Sequence, residues 1–136
     1  MSMVGCVFCA IVAEEASSYP VAEADGALAF LDINPATEGH TLVIPKTHAD
    51  DIWDLDPDDG RSVWALAQDV ASLLQDRLKP DGLTLFQANG KSGWQHVFHF
   101  HLHVVPRWAG DALHKPWEVT PGDPAQLTDV MQRIQG

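Results

Sequence analysis

Between positions 98 and 104 histidine alternates with large apolar residues: His99, His101 and His103 are interleaved with Phe98, Phe100, Leu102 and Val104. A period of two is the signature of a β-strand, whose successive side chains point to opposite faces. The pattern predicts a strand over 96–105, set on a hydrophobic layer through its apolar face and holding a row of imidazoles on the other. At roughly 3.3 Å per residue, the α-carbons of His99 and His103 lie about 13 Å apart on such a strand. Three imidazoles spaced that way do not converge on one ion, so divided roles are expected.

The rest of the chain supplies elements for that strand to pack against. Ser17–Glu23 and Ala27–Asp32 read as strands joined at the turn residues Asp25 and Gly26. His40–Ile44 is a third β-rich run, ended by Pro45, and Leu83–Gln87 a fourth, separated from the histidine strand by Asn89-Gly90. Cys6–Ala13 fits a short helix. One long helix follows from Val63, Leu66, Ala67, Val70, Leu73, Leu74 and Leu78 at helical spacing, with Asp58 or Asp59 as its cap and Lys79-Pro80 as its stop. A further short helix is expected over Pro124–Ile134. Strands in neighbouring pairs around one long helix predict an α+β domain with a mainly antiparallel sheet and short flanking helices. The 136 residues fit one such domain, with its motifs in 6–107 and an extension over 108–136.

Charge narrows the ligands. Only 8 Lys and Arg stand against 19 Asp and Glu, for a net charge of −11, which disfavours a nucleic-acid polymer because phosphate backbones are bound through basic side chains. Small phosphate esters are still accessible through a few local donors. Neither a signal-peptide pattern nor an apolar stretch of membrane-spanning length is present, which predicts a soluble cytoplasmic protein without a membrane partner. Cys6 and Cys9 form a C-x-x-C, which in a reducing compartment favours a metal or redox role over a structural disulfide.

Taken together, Gln95-His96-Val97-Phe98-His99-Phe100-His101-Leu102-His103-Val104-Val105-Pro106-Arg107, Phe30-Leu31-Asp32-Ile33-Asn34-Pro35 and His40-Thr41-Leu42-Val43-Ile44-Pro45-Lys46-x-His48 resemble the histidine-triad (HIT) family, in the expected order. The resemblance implies a nucleotide hydrolase or nucleotidyl transferase, a homodimer whose sheets join across a two-fold axis, and a small nucleotide as substrate with no organic cofactor. It makes His101 the nucleophile on the α-phosphorus, with its δ N–H held by a backbone carbonyl. His103 then donates to the phosphate oxygens, and His99 and His40 complete the catalytic set. Asp32 is the residue that accepts the ribose hydroxyls, while Phe8, Ile11, Phe30, Ile33 and Leu42 are candidates for an apolar base slot. Asn89 and Gln95 are further nucleotide-binding candidates. A neutral imidazole suits the attack on physical grounds, because it is not repelled by the phosphate oxygens.

Three positions depart from the family's pattern. Ala88 stands where relatives often carry Asn or Gln near the phosphate, Trp94 where many have a glycine whose N–H approaches it, and His96 where Ser or Thr is common beside the leaving group. Trp94 can still offer its backbone N–H, and His96 can act as a proton donor. All three bear on the leaving group, whether an amine or a phosphate. The resemblance also offers a structural zinc site built from Cys6, Cys9, His48 and His99, closed by four protein ligands. Two other readings stay open on the sequence: a zinc-dependent hydrolase with a catalytic metal on the histidine row, and a non-catalytic nucleotide-binding or interaction module.

Overall fold

A computed structural model describes residues 3–136. Five antiparallel strands, β1 (Pro20–Glu23), β2 (Ala27–Leu31), β3 (Thr41–Pro45), β4 (Gly82–Gln87) and β5 (Leu102–Arg107), form one sheet in the order β1-β2-β3-β5-β4. Helix α2 (Pro57–Leu78) covers one face of the sheet, α1 (Val7–Val12) packs on the other, and α3 (Pro124–Gln135) follows the last strand. Alternation along β2 and β3 assigns the faces. Ala27, Ala29 and Val43 join Val63, Leu66, Ala67, Val70 and Leu74 of α2, together with Phe100, Leu102 and Val104, in one core. The intervening Phe30, Leu42 and Ile44 join Phe8 of α1 in a second. Every residue of β3 is buried because both its faces are covered, which is why this run reads as continuously apolar.

Helix α2 begins earlier than the expected cap at Asp58 or Asp59. Asp56 is the N-cap, accepting from the Asp58 N–H, and Pro57 occupies the first helical position, where its fixed φ suits the helix and its missing N–H costs nothing. The helix stops at Lys79, which adopts the left-handed conformation (φ 53°) and gives its N–H to Gln75 O. Gly39, at φ +84°, makes the turn into β3 in a conformation that strains any residue with a Cβ, and a Cβ there would lie 2.5 Å from Leu78 Cδ1, so the end of the helix would have to shift.

The histidine strand is shorter than its alternation predicts, and this is the main correction. Regular pairing begins only at Leu102; residues 96–101 are irregular. The Phe100 N–H donates to Ala49 O at 2.7 Å instead of to a ladder partner, which draws the segment toward the loop after β3. Phe98 is therefore not on the apolar back face and is 48% exposed. At the other end β5 continues through Pro106. Pairing with β3 ends at Thr41–Val104, so the proline's missing N–H leaves no bond unmade on that side, and Thr37 Oγ1 donates to Pro106 O. The expected C-terminal helix is present as α3, capped by Asp123 and without a buried residue.

Candidate active site and metal cluster

The shortened strand splits the histidine row into two sites. His103 alone lies in β5; His101 precedes it and His99 turns the opposite way, toward α1 and the loop after β3. The ring of His101 is 4.9 Å from that of His103 and meets Phe8 edge-on at 5.3 Å. Both rings line a cavity of about 540 Å³, together with Phe8, Ile11, Phe30, Asp32, Ile33, Asn34, Leu42, Phe86, Trp94 and His96. A wider depression along α2, bordered by Asp69, Asp76 and Lys79, holds none of the imidazoles.

Fixed backbone donors and acceptors set the proton on each imidazole. The Ala36 N–H donates to His40 Nδ1 at 3.0 Å, so the His40 proton sits on Nε2. From there it is 2.9 Å from His103 Nδ1 and 3.5 Å from Asp32 Oδ2. His103 Nδ1 is thereby the acceptor, and its Nε2–H is left to donate. In His101 the order is reversed: Nδ1–H donates to His99 O at 2.8 Å, and Nε2 keeps its lone pair. The pair thus offers one nucleophilic nitrogen and one N–H donor. Burial lowers the pKa of His101 below 6.5, with the neighbouring His96 adding to the effect and the His99 carbonyl and Asp32 opposing it. Burial, and then the charges of His101 and His40, push His103 down to about 3, and burial also lowers His40. All three are neutral at pH 7. Asp32, His40 and His103 form a compact group, but the His40 proton lies between the other two, so their lone pairs do not converge on a cation.

The second site is of a different kind. Cys6 and Cys9 Sγ and the Nδ1 atoms of His48 and His99 all lie within 4.8 Å of one another. Individual separations are 3.3 Å for Cys6–His99, 3.3 Å for Cys9–His48, 3.5 Å for Cys9–His99 and 3.2 Å for His48–His99. A tetrahedral zinc with ordinary bond lengths has edges of about 3.3 Å (N to N) and 3.6 Å (S to N). The tautomers agree with that fit. His99 Nε2 donates to Pro45 O at 2.9 Å and His48 Nε2 to Asp50 Oδ1 at 2.7 Å, so both Nδ1 atoms face each other as lone pairs. Two such lone pairs at 3.2 Å repel unless a cation lies between them. Burial raises the Cys9 thiol pKa, so the metal-free pocket favours its protonated form.

Most of the expected site residues come together, and the exceptions are specific. His99 does not line the cavity; its ring belongs to the metal cluster and only its carbonyl touches His101. His40 stands behind His103. Gln95 and Asn89, expected at the nucleotide, point elsewhere. Gln95 is 2% exposed and bound to Gly90 N, Asp50 O and Val97 O, while Asn89 Oδ1 accepts from the Ile52 N–H. Ala88 is buried, and the Trp94 N–H is already given to Lys91 O rather than left for a phosphate. Phe86 and Asp50 are among the residues that escaped the sequence reading. Phe86 of β4 is the register partner of His103 and stacks on its ring at 4.0 Å, a relation that follows only from strand pairing. Asp50, which holds His48, was detectable as an H-x-D spacing.

Known proteins agree with this architecture. The HIT domain family model matches residues 13–110. The Bacillus subtilis (strain 168) protein hit is 36% identical over 132 residues, covering 95% of this chain and 91% of its own. The crystal structure of a Zn-bound histidine triad family protein from Mycobacterium smegmatis is 38% identical, with a TM-score of 0.77 and 96% of each chain covered. That of a histidine triad nucleotide-binding protein from Candida albicans is 26% identical, with a TM-score of 0.87 over 96% of this chain and 95% of its own. With its histidine triad divided between a cavity and a cysteine–histidine cluster on an antiparallel α+β sheet, this chain belongs to the HIT family.

Proposed function

We propose that the protein is a nucleotide hydrolase or nucleotidyl transferase that cleaves a nucleoside phosphoramidate or dinucleoside polyphosphate at the α-phosphorus. The observation that carries this reading is the pair of opposite tautomers, that of His101 fixed by the His99 carbonyl and that of His103 by the His40 side chain, with a lone pair on His101 Nε2 beside an N–H on His103 Nε2. His101 Nε2 attacks phosphorus, the bond to the leaving group breaks, and that group departs with its electron pair and a proton from His96 at the cavity wall. His103 donates to the phosphate oxygens as charge shifts onto them, an effect worth about 3 kcal/mol at sites of this kind. Water, or another acceptor, then takes the nucleotidyl group from His101. The nucleoside lies toward Phe8, Phe30 and Leu42. Asp32 keeps lone pairs for the ribose although one oxygen accepts the Asn34 N–H.

Zinc at Cys6, Cys9, His48 and His99 is structural in this reading, because four protein ligands leave no position for water. When bound it supplies charge compensation to two thiolates and steadies the segment whose carbonyl orients His101. The protein acts as a soluble homodimer. Among the described residues strand β4 is an edge of the sheet with no strand on its outer side, a surface fit for a second copy.

The test is His101→Ala. Turnover of adenosine phosphoramidate and diadenosine polyphosphate should be lost while AMP binding, followed by calorimetry, is retained. Alkaline quenching of the wild type during turnover should trap a nucleotidyl group on His101. A folded His101→Ala protein with wild-type turnover defeats the mechanism.

A further inference from the structure

The cysteine–histidine cluster meets solvent through its cysteines. His99 is fully buried and Cys9 nearly so, whereas Cys6 is half-buried. A cavity of about 320 Å³ opens on both cysteines and is bordered by Met3, Gly5 and Ala10. Among the described residues no atom lies within 4 Å of where a Gly5 Cβ would stand, so small solutes reach the sulfurs past that glycine. None of the residues lining this opening belongs to β4, the edge assigned to a second copy, or to the cavity that holds His101 and His103.

The two thiols are placed to meet. Cys6 is the N-cap of α1, and its Sγ turns over the first turn of the helix to accept the Cys9 N–H at 3.3 Å. The two sulfurs lie within 4.8 Å of each other, and a disulfide would bring them to about 2 Å. Phe8 sits inside the turn that would close. Its ring is 7% exposed, meets Phe30 edge-on at 5.4 Å and His101 at 5.3 Å, and forms part of the wall of the nucleotide cavity. Closure of the Cys6–Cys9 turn therefore displaces that wall.

We infer that Cys6 and Cys9 are a modification site, a dithiol that hydrogen peroxide converts to a disulfide, with loss of the metal and of nucleotide affinity. The inference rests on the structural zinc of the function proposed above. The more exposed Cys6 thiolate attacks one oxygen of the peroxide, the O–O bond breaks, hydroxide leaves and Cys6 becomes a sulfenic acid. The Cys9 thiolate then attacks the Cys6 sulfur and expels a second hydroxide. The two thiolates together lose two electrons, the peroxide gains them, and the two hydroxides take up protons as water. Once both thiolates are consumed, the neutral imidazoles of His48 and His99 are the donors left, too few for a closed tetrahedral zinc site.

The experiment treats protein purified without chelator with hydrogen peroxide and, in parallel, with diamide, which oxidises thiols and leaves methionine intact. Zinc release is followed with a colorimetric chelator, the Cys6–Cys9 bond by peptide mass, and AMP affinity by calorimetry. The chain has no other cysteine, so every thiol lost belongs to this pair. Zinc should be released in step with disulfide formation under both oxidants. The Kd for AMP should rise about tenfold or more, the worth of one aromatic contact to a base. Dithiothreitol with added zinc should restore both. Zinc retained with both thiols still titratable, or a sulfinic acid in place of the disulfide, overturns the inference and leaves the zinc reading standing. Unchanged AMP affinity in the disulfide-bonded protein overturns it as well. Untreated protein that contains no zinc overturns the metal reading and this inference together.

Discussion

Replacing Gln95 with leucine separates a residue that braces the site from one that binds the nucleotide. The side chain is 2% exposed and makes three hydrogen bonds: Oε1 accepts the Gly90 N–H at 2.8 Å, and Nε2 donates to Asp50 O at 2.6 Å and Val97 O at 3.0 Å. Leucine keeps the size and removes all three. Each backbone group left unpaired in a dry environment costs about 1–3 kcal/mol. Gly90 and Val97 are only half-buried and Asp50 is exposed, so water recovers part of this, leaving about 2–4 kcal/mol. For a domain of this size that is a fall in Tm of about 10 °C. Glu at the same position adds a pH signature. Its carboxylate still accepts from Gly90, but its second oxygen meets two carbonyls, so folding raises its pKa by favouring the protonated acid. Stability is then closest to wild type below the unfolded-state value of about 4.3 and is lost as pH rises through the higher folded value. Thermal and urea unfolding at pH 5 and pH 8 measure both effects. If Gln95→Leu unfolds like wild type while its KM for a nucleotide substrate rises tenfold, the side chain faces the ligand and the bracing role is wrong.

The metal site predicts close to one zinc per chain in protein prepared without chelator. Chelation, or Cys9→Ala, should lower Tm, by about 2.7 kcal/mol of stabilisation for free zinc at a hundred times its Kd. Metal analysis finding no zinc in protein never exposed to chelator or acid would refute it. His103 predicts a pH effect of definite sign. Its folded pKa of about 3 lies below the unfolded value of 6.5, so its contribution to stability is complete above pH 6.5 and is lost as pH falls toward the folded value. Urea unfolding between pH 7.5 and pH 5 should show a shallower decline in His103→Gln than in wild type, and parallel curves would remove the buried-neutral assignment.

What could be read from the sequence was what local periodicity controls. The hairpin at Asp25-Gly26, the apolar stripe of α2 and the alternation of Phe100, Leu102 and Val104 each follow from neighbours within a few residues, and each is present. Side-chain directions set by a distant partner were not legible. Asn89 and Gln95 belong to a loop tied to residues 50 and 52, some 37 and 45 positions away, so no local pattern shows which way their side chains turn. Phe86 was missed for the same reason, since its stacking on His103 depends on the β4–β5 register.

The end of the alternation at Leu102 gives the site its chemistry. On an unbroken strand His99, His101 and His103 would share one face at even spacing, with His99 and His103 about 13 Å apart at their α-carbons, so that the three could not converge on one ion. Drawing Phe100 onto Ala49 O releases His99 from that face, and its ring reaches the two cysteines while its carbonyl stays two residues from His101. His99 Nε2–H is fixed by Pro45 O on β3, so the ring is anchored to the sheet on one side and to the cluster on the other. The carbonyl holding the His101 Nδ1–H therefore belongs to a residue fixed both by the sheet and by the cysteine–histidine cluster. Disorder introduced at the cysteines reaches His101 by two routes, through that carbonyl and through Phe8, which lies between Cys6 and Cys9 and forms part of the cavity wall.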